Sequence, residues 1–227
     1  MVADYSQIEL RLLAHMSHDR LLVDAFRRGE DIHTRTAAEV FGVPPLMVTP
    51  ELRRNAKAVN FGIVYGQTPF GLASQLGIGR KEADVYIRNY FERYAGVKKF
   101  IDATVNQVRQ SGVARTLFGR QRPIPDMHSR NPAARSFAER TAVNTPLQGT
   151  AADLIKLAMI RIGGELEQRK LQSKMLLQVH DELLFESPPE EVDPVRKLVK
   201  QEMEGVYRLD VPMVVDVGVG DNWRDAK

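Results

Sequence analysis

Two aspartates stand where chemistry would need them. Asp4 closes a short apolar run at the start of the chain. Asp181 sits at a tight turn between two further apolar runs, KMLLQV and ELLFES. An acidic side chain at the end of a buried strand costs free energy unless it is solvated, capped or bound to a cation. If the two strands lie side by side, both carboxylates enter one small volume, and a cation must compensate them. Mg²⁺ suits such a pair, because it favours carboxylate oxygens together with substrate phosphates. Two such ions bridged by two aspartates form a clamp for in-line phosphoryl displacement. Each aspartate alone also has an ordinary explanation, Asp4 as a helix cap and Asp181 as a turn residue.

The pair gains meaning beside a row of side chains in the middle of the chain. Arg53, Lys57, Phe61 and Tyr65 are spaced i, i+4, i+8, i+12. On a helix each four-residue step turns by about 400°, so the row drifts by only about 40° per step. Two cations, a flat ring and a phenol in one stripe make a poor core. They suit a nucleotide, with phosphates against Arg53 and Lys57 and the sugar or base against Phe61. A half-solvated helix with snorkelling cations is the other explanation of the same stripe. His33 is either a phosphate donor or a plain helix-start residue. Asn144 and Gln148 flank Pro146 and either contact a ligand or cap the following helix.

The elements that must hold these residues can be read from pattern. Residues 1–5 read as a strand end. Helices are expected over about 8–15, 21–28 and 32–41, the last capped by Asp31 and stopped before Gly42. Thr49 followed by Pro50 starts the helix that carries the stripe. A short helix is expected between Gly71 and the Gly77–Gly79 turn, then helices over 80–94 and from 96 or 97 to 110. VARTLFGRQRPIPD reads as a hairpin with a basic tip. A helix over 132–142 should be interrupted by Pro146, with a long helix from Gln148 to about Lys170. The two strands around Asp181, an amphipathic helix over 190–207 and a last strand, VPMVVDVGVG, complete the order. Strands at both ends with helices between them predict an α+β fold, a small antiparallel sheet with a helical insertion.

Composition narrows the function. The chain has no cysteine, which excludes disulfides and thiolate metal sites. Its 43% hydrophobic content over 227 residues suffices for a sizeable core. No apolar run approaches the roughly 18 residues of a membrane span, and no signal peptide pattern opens the chain, so no membrane partner and a soluble, cytoplasmic location are expected. Net charge is only +3, yet residues 53–140 hold 16 Lys/Arg against 6 Asp/Glu, while the remainder is acidic. A basic middle flanked by acidic segments suits a protein that holds a polyanion beside cation-binding carboxylates.

Together these residues resemble the family A DNA polymerases, the bacterial DNA polymerase I family. Three motifs carry the resemblance in order: DYSQIELR at Asp4–Arg11, RRNAKAVNFGIVYG at Arg53–Gly66, and VHDE at Val179–Glu182. DIHTRTA, TLFGRQRPIPD, NTPLQGTAADLIKLAM and the closing VGVGDNW extend it over essentially the whole chain. The resemblance implies a palm sheet with a large helical fingers insertion, divided as palm over 1–40, fingers and an adjoining segment over 41–125, and palm again over 126–227. It implies template-directed DNA synthesis in replication and repair: a nucleotidyltransferase moving a deoxynucleotide from a dNTP to a primer 3′-hydroxyl with two Mg²⁺ ions. The partners would be primer–template DNA and dNTPs.

It also implies roles for single residues. Asp4 and Asp181 resemble the metal-binding aspartates, the Tyr5 carbonyl a further ligand, and Glu182 an accessory carboxylate near the primer end. Glu9 resembles a steric gate against a ribose 2′-hydroxyl, held by Tyr65. Arg53 and Lys57 resemble the triphosphate pair, with Gln7 and His33 beside them. Phe61 resembles the ring against the incoming sugar and base, and implies discrimination against dideoxynucleotides. Tyr65 also resembles the ring at the template side. Arg11, Arg120, Asn144, Gln148 and His180 resemble contacts to primer–template or the nascent pair. Only Met1, Val2 and Ala3 precede Asp4, whereas the family carries a thumb and the first part of the palm before this motif. A fragment lacking its thumb is therefore expected, with weak duplex grip, the missing parts being supplied by a longer chain. Two other readings stay open: a nucleic-acid-binding remnant without activity, and a single-subunit RNA polymerase.

Overall fold

The first apolar run forms strand β1 (Val2–Tyr5). Its side chains alternate: Ala3 and Tyr5 are buried on one face, and Asp4 turns to the other. A computed structural model describes residues 1–226. In it β1 is an inner strand of a four-stranded antiparallel sheet ordered β4-β5-β1-β6. Here β4 is Lys174–Val179, β5 is Glu182–Glu186 and β6 is Val215–Gly218. β1 pairs with β5 so that Asp4 opposes Glu182, and with β6 so that Asp4 opposes Asp216. The buried Tyr5 hydroxyl donates to the Met203 carbonyl at 2.7 Å, which ties the opposite face of the sheet to helix α9 (Val192–Glu204). This sheet, α9 and the second half of helix α8 (Pro132–Gln168) form one compact unit, residues 1–9 and 150 onward.

Residues 10–149 form a second compact unit and are mostly helical. Helix α1 (Ile8–Ser17) is followed by α2 (Arg20–Arg27), α3 (Ile32–Phe41) and α4 (Pro50–Val64). Then come α5 (Pro69–Leu76), α6 (Arg80–Arg93) and α7 (Ala95–Ser111). The expected caps form. Asp31 accepts from Thr34 N, Thr49 from Leu52 N, and Gly42 ends α3 in the left-handed conformation. The basic hairpin pairs β2 (Val113–Arg115) with β3 (Gln121–Pro123). Its base rests on a cluster of Val108, Ala114, Ile124, Met127, Ala138 and Ala142.

The α+β expectation holds, with a small palm-like sheet and a large fingers-like helical region. Four local expectations do not. Pro146 does not interrupt a helix: α8 runs unbroken over 37 residues. Proline there removes the backbone donor to the Ala142 carbonyl, but Ala142, Val143 and Leu147 around it are buried and hold the helix in place. α5 starts at Pro69 rather than after Gly71, because Thr68 caps it as Thr49 caps α4. The amphipathic stretch 190–207 opens with a 3-10 turn over Pro189–Glu191, so its α-helix is shorter. The last strand is only Val215–Gly218, since residues before it are irregular. Among the described residues no helix is long and apolar enough to cross a membrane.

One buried carboxylate joins two helix starts. Asp19 Oδ1 accepts from Leu21 N and Leu22 N at 3.1 and 3.2 Å, capping α2. Its Oδ2 accepts from Gly96 N at 2.9 Å, at the start of α7. The approach needs glycine, because a Cβ at Gly96 would stand 2.8 Å from Asp19 Cα. Asp19→Ala strips three amides of their acceptor in a buried setting. It should destabilise the helical unit by about 2–3 kcal/mol, above the roughly 1 kcal/mol of an ordinary cap. Denaturant unfolding of Asp19→Ala and Gly96→Ala checks this.

Candidate active site

The first cluster lies at the strand ends of the sheet. The amide of Tyr5 donates to the carbonyl of Asp181 at 3.1 Å, so the end of β1 is bonded to the β4–β5 turn. Glu182 lies directly opposite Asp4, so these side chains share a face. Asp4 and Asp181 are half-buried and Glu182 is buried. The turn is tight. His180 and Asp181 alone separate β4 from β5, and His180 adopts φ 55°, the left-handed region that non-glycine residues seldom occupy. Gln7, just after β1, does the same at φ 55°. Two of the four such residues in the described chain thus flank the two aspartates, and strain of this kind gathers at functional sites. Among the described residues no three Asp, Glu or His converge to hold an ion by themselves.

The second cluster is built by α3 and α4. Arg53, Lys57, Phe61 and Tyr65 form the expected stripe, and the Phe61 and Tyr65 rings stack with centroids 6.2 Å apart. Lys57 and Tyr65 are exposed, and Phe61 is half-buried. The His33 ring sits 6.0 Å from Phe61. Arg53 is not bare: its Nε and Nη2 donate to Asp31 Oδ2 at 3.0 and 2.7 Å. Asp31 therefore caps α3 and grips the stripe's first cation at once. Burial raises the Asp31 carboxyl, but hydrogen bonds from Arg53 and Thr34 outweigh it and bring the group from 3.8 to about 2.

A buried polar chain fixes His33. Thr36 Oγ1 donates to Asn60 Oδ1 at 3.0 Å, and the Tyr94 hydroxyl lies 3.4 Å from the same Thr36 oxygen. That leaves the Asn60 amide to donate to His33 Nδ1 at 3.0 Å. Nδ1 is then an acceptor, and the proton of the neutral ring lies on Nε2. Burial lowers His33 from 6.5 to about 4; Asp31 opposes this, while Arg53 and Lys57 reinforce it. The site therefore presents a neutral N–H donor beside two cations. Sequence reading found His33 but missed Asn60 and Asp31's second role. Asn60 follows Ala56 by one helical turn on the buried side of α4, and that periodicity was the available signal.

The remaining expected residues are dispersed. Arg11 is buried, with its guanidinium 4.7 Å over the Phe26 ring. Arg120 is at the hairpin end, where its amide donates to Thr116 Oγ1 at 3.1 Å. Asn144 and Gln148 share one face of α8, and Arg140 precedes them on the same face by one turn. The Asn144 Oδ1 is buried without a hydrogen-bond partner, an acceptor the fold itself does not satisfy. Glu9, on the first turn of α1, is half-buried.

A family model described as DNA polymerase family A matches residues 1–225. The chain belongs to DNA polymerase family A. It is 55% identical over 225 residues to the DNA polymerase I of Caldicellulosiruptor bescii, covering 99% of this chain and 26% of that protein. To the DNA polymerase I of Bacillus subtilis it is 53% identical over 225 residues, with the same coverage of each. It is similar to the solved POL domain of Pol1 from M. smegmatis in complex with DNA primer-template and dNTP. That likeness has a TM-score of 0.95 and 47% identity, over 99% of this chain and 40% of that one. The chain thus spans about a quarter of the length of the two DNA polymerase I relatives.

The acid response follows from His33. A histidine whose folded value is depressed leaves stability intact above its ordinary value and loses it as the unfolded chain protonates first. The helical unit of this family A chain should therefore weaken as pH falls from about 6.5 towards about 4, and again below 3.8 as Asp31 protonates. His33→Gln should flatten the first decline and leave the second. Urea unfolding followed across this range measures both slopes.

Proposed function

We propose that this chain carries the nucleotidyl-transfer machinery of a template-directed DNA polymerase. The reading rests above all on the bonded strand ends, where Asp4 and Asp181 are joined through the Tyr5 amide and the Asp181 carbonyl. The reaction joins the primer O3′ to the α-phosphorus of a dNTP, breaks its bond to the β-phosphate oxygen and releases pyrophosphate. The strand-end donor set is all oxygen, the chemistry that hard divalent cations prefer. Asp4, Asp181 and the Tyr5 carbonyl would hold two Mg²⁺ ions. Bound there, such ions favour the 3′-alkoxide and stabilise the leaving pyrophosphate. Substrate phosphates and water would supply the remaining oxygen ligands.

The α4 stripe supports triphosphate binding. Lys57 offers a point charge, and Arg53 a planar fork once phosphate displaces the Asp31 carboxylate. His33 adds an Nε2–H donor without adding charge. Such groups act most when charge gathers on the departing pyrophosphate. Phe61, braced by Tyr65, offers a flat face for sugar and base. Glu9 excludes a 2′-hydroxyl by occupying its space, a rejection that needs no base contact. Arg11, Arg120, Asn144, Gln148 and His180 are the proposed primer–template contacts, where phosphate contacts position and base pairing specifies.

Primer extension by the full polypeptide chain, with deoxy- and ribonucleotides in parallel, tests the proposal. Asp181→Ala should reduce Mg²⁺-dependent incorporation to background. Glu9→Ala should relax discrimination against ribonucleotides by about a hundredfold. Incorporation that survives Asp181→Ala unchanged, or an unaltered preference in Glu9→Ala, would count against it.

A further inference from the structure

The closing segment of the chain is a built turn. Asp225 N donates to Asn222 Oδ1 and Ala226 N to the Asn222 carbonyl, both at 3.1 Å. This turn lies against the strand that precedes it. A Cβ on Gly218 would overlap the carbonyl oxygen of Ala226, and one on Gly220 would stand 2.7 Å from the Asp225 carbonyl carbon. Ala226 is buried in consequence. From the turn, Trp223 Nε1 donates to Glu182 Oε1 at 3.0 Å. It is the only tryptophan in the chain. Glu182 opposes Asp4 across the β1–β5 pair and directly follows Asp181.

We propose that Trp223 is a positioning residue: its indole N–H, delivered by the 218–226 turn, fixes the Glu182 carboxylate beside Asp4 and Asp181. A glutamate has three side-chain torsions, and holding one rotamer costs conformational entropy. A mobile third carboxylate beside the aspartate pair would also alter how many oxygens a cation meets there. An indole N–H can only donate, so it binds the acceptor oxygen and gives the carboxylate a fixed direction. Supporting bonds of this kind around metal-binding groups are typically worth about tenfold or more in activity. The two glycines have a matching purpose, since side chains there would lift the turn and its tryptophan off the sheet.

This inference rests on the strand-end reading given under Proposed function. Single-nucleotide incorporation by the full polypeptide chain tests it, with thermal unfolding of each variant as control. Trp223→Phe keeps the ring and removes the donor. It should lower kcat about tenfold and leave KM for dNTP unchanged. Trp223→Phe added to Glu182→Gln should slow the enzyme no further than Glu182→Gln alone, since the charge that the indole positions is already gone. Gly218→Ala, which displaces the turn and touches neither partner, should reproduce the kcat loss, and it decides the matter if Trp223→Phe folds poorly. Full kcat in Trp223→Phe or Gly218→Ala beside a slowed Glu182→Gln overturns the positioning role alone. So do losses that multiply in the double variant, or a lowered unfolding midpoint with kcat kept. Full kcat in Glu182→Gln overturns the assignment of Glu182 itself, and the positioning role with it.

Discussion

A carboxylate at the end of a buried strand needs water, a cap or a cation, and this sheet brings two such strand ends together. The constraint is the antiparallel register of β1 against β5. It sets Asp4 opposite Glu182 and bonds the Tyr5 amide to the Asp181 carbonyl. A slip of one residue would turn Asp4 into the face that carries Tyr5 and Leu183. The buried hydroxyl bond from Tyr5 to α9 resists that slip, because it would lose its acceptor. Gln7 and His180 adopt positive φ three residues after Asp4 and one residue before Asp181.

The helical unit solves a related problem with the opposite sign. Two cations and a histidine are gathered on α3 and α4, and a protonated ring among them would add repulsion. Burial keeps His33 neutral, and the Thr36–Asn60 chain decides which nitrogen bears the proton. Asp31 offsets the charge of Arg53 while no anionic ligand does so. That pair is partly solvent-facing, so its strength is modest, which fits the proposed displacement of the carboxylate by a phosphate. Arg53 is thereby held in place without being buried.

Much of this was legible in the residues. The Thr49–Pro50 start, the Asp31 cap and the four-residue spacing from Arg53 to Tyr65 were local signals, and the structure keeps all three. The two apolar runs around Asp181 marked a hairpin because only two residues separate them. What escaped was set by contacts distant in sequence or by local compensation. Pro146 reads as a break, yet the buried residues on both sides of it sustain the helix. The grip of Asp31 on Arg53 spans 22 positions, and that of Trp223 on Glu182 spans 41. Neither leaves a periodic mark. Asp19 joins two helix starts because Gly96 comes close enough, which spacing alone does not reveal.

Divalent-cation binding reads the strand-end carboxylates most directly. Mn²⁺ binding to the full polypeptide chain with bound dNTP can be followed by electron paramagnetic resonance in the unaltered protein, Asp4→Asn, Asp181→Asn and the double variant. If the bonded strand ends form one shared site, each single change should remove most of the tight binding, and the double change should remove little more. Wild-type binding in either single variant, or two small independent losses, would mean that the pairing of β1 with β5 does not make a cation site.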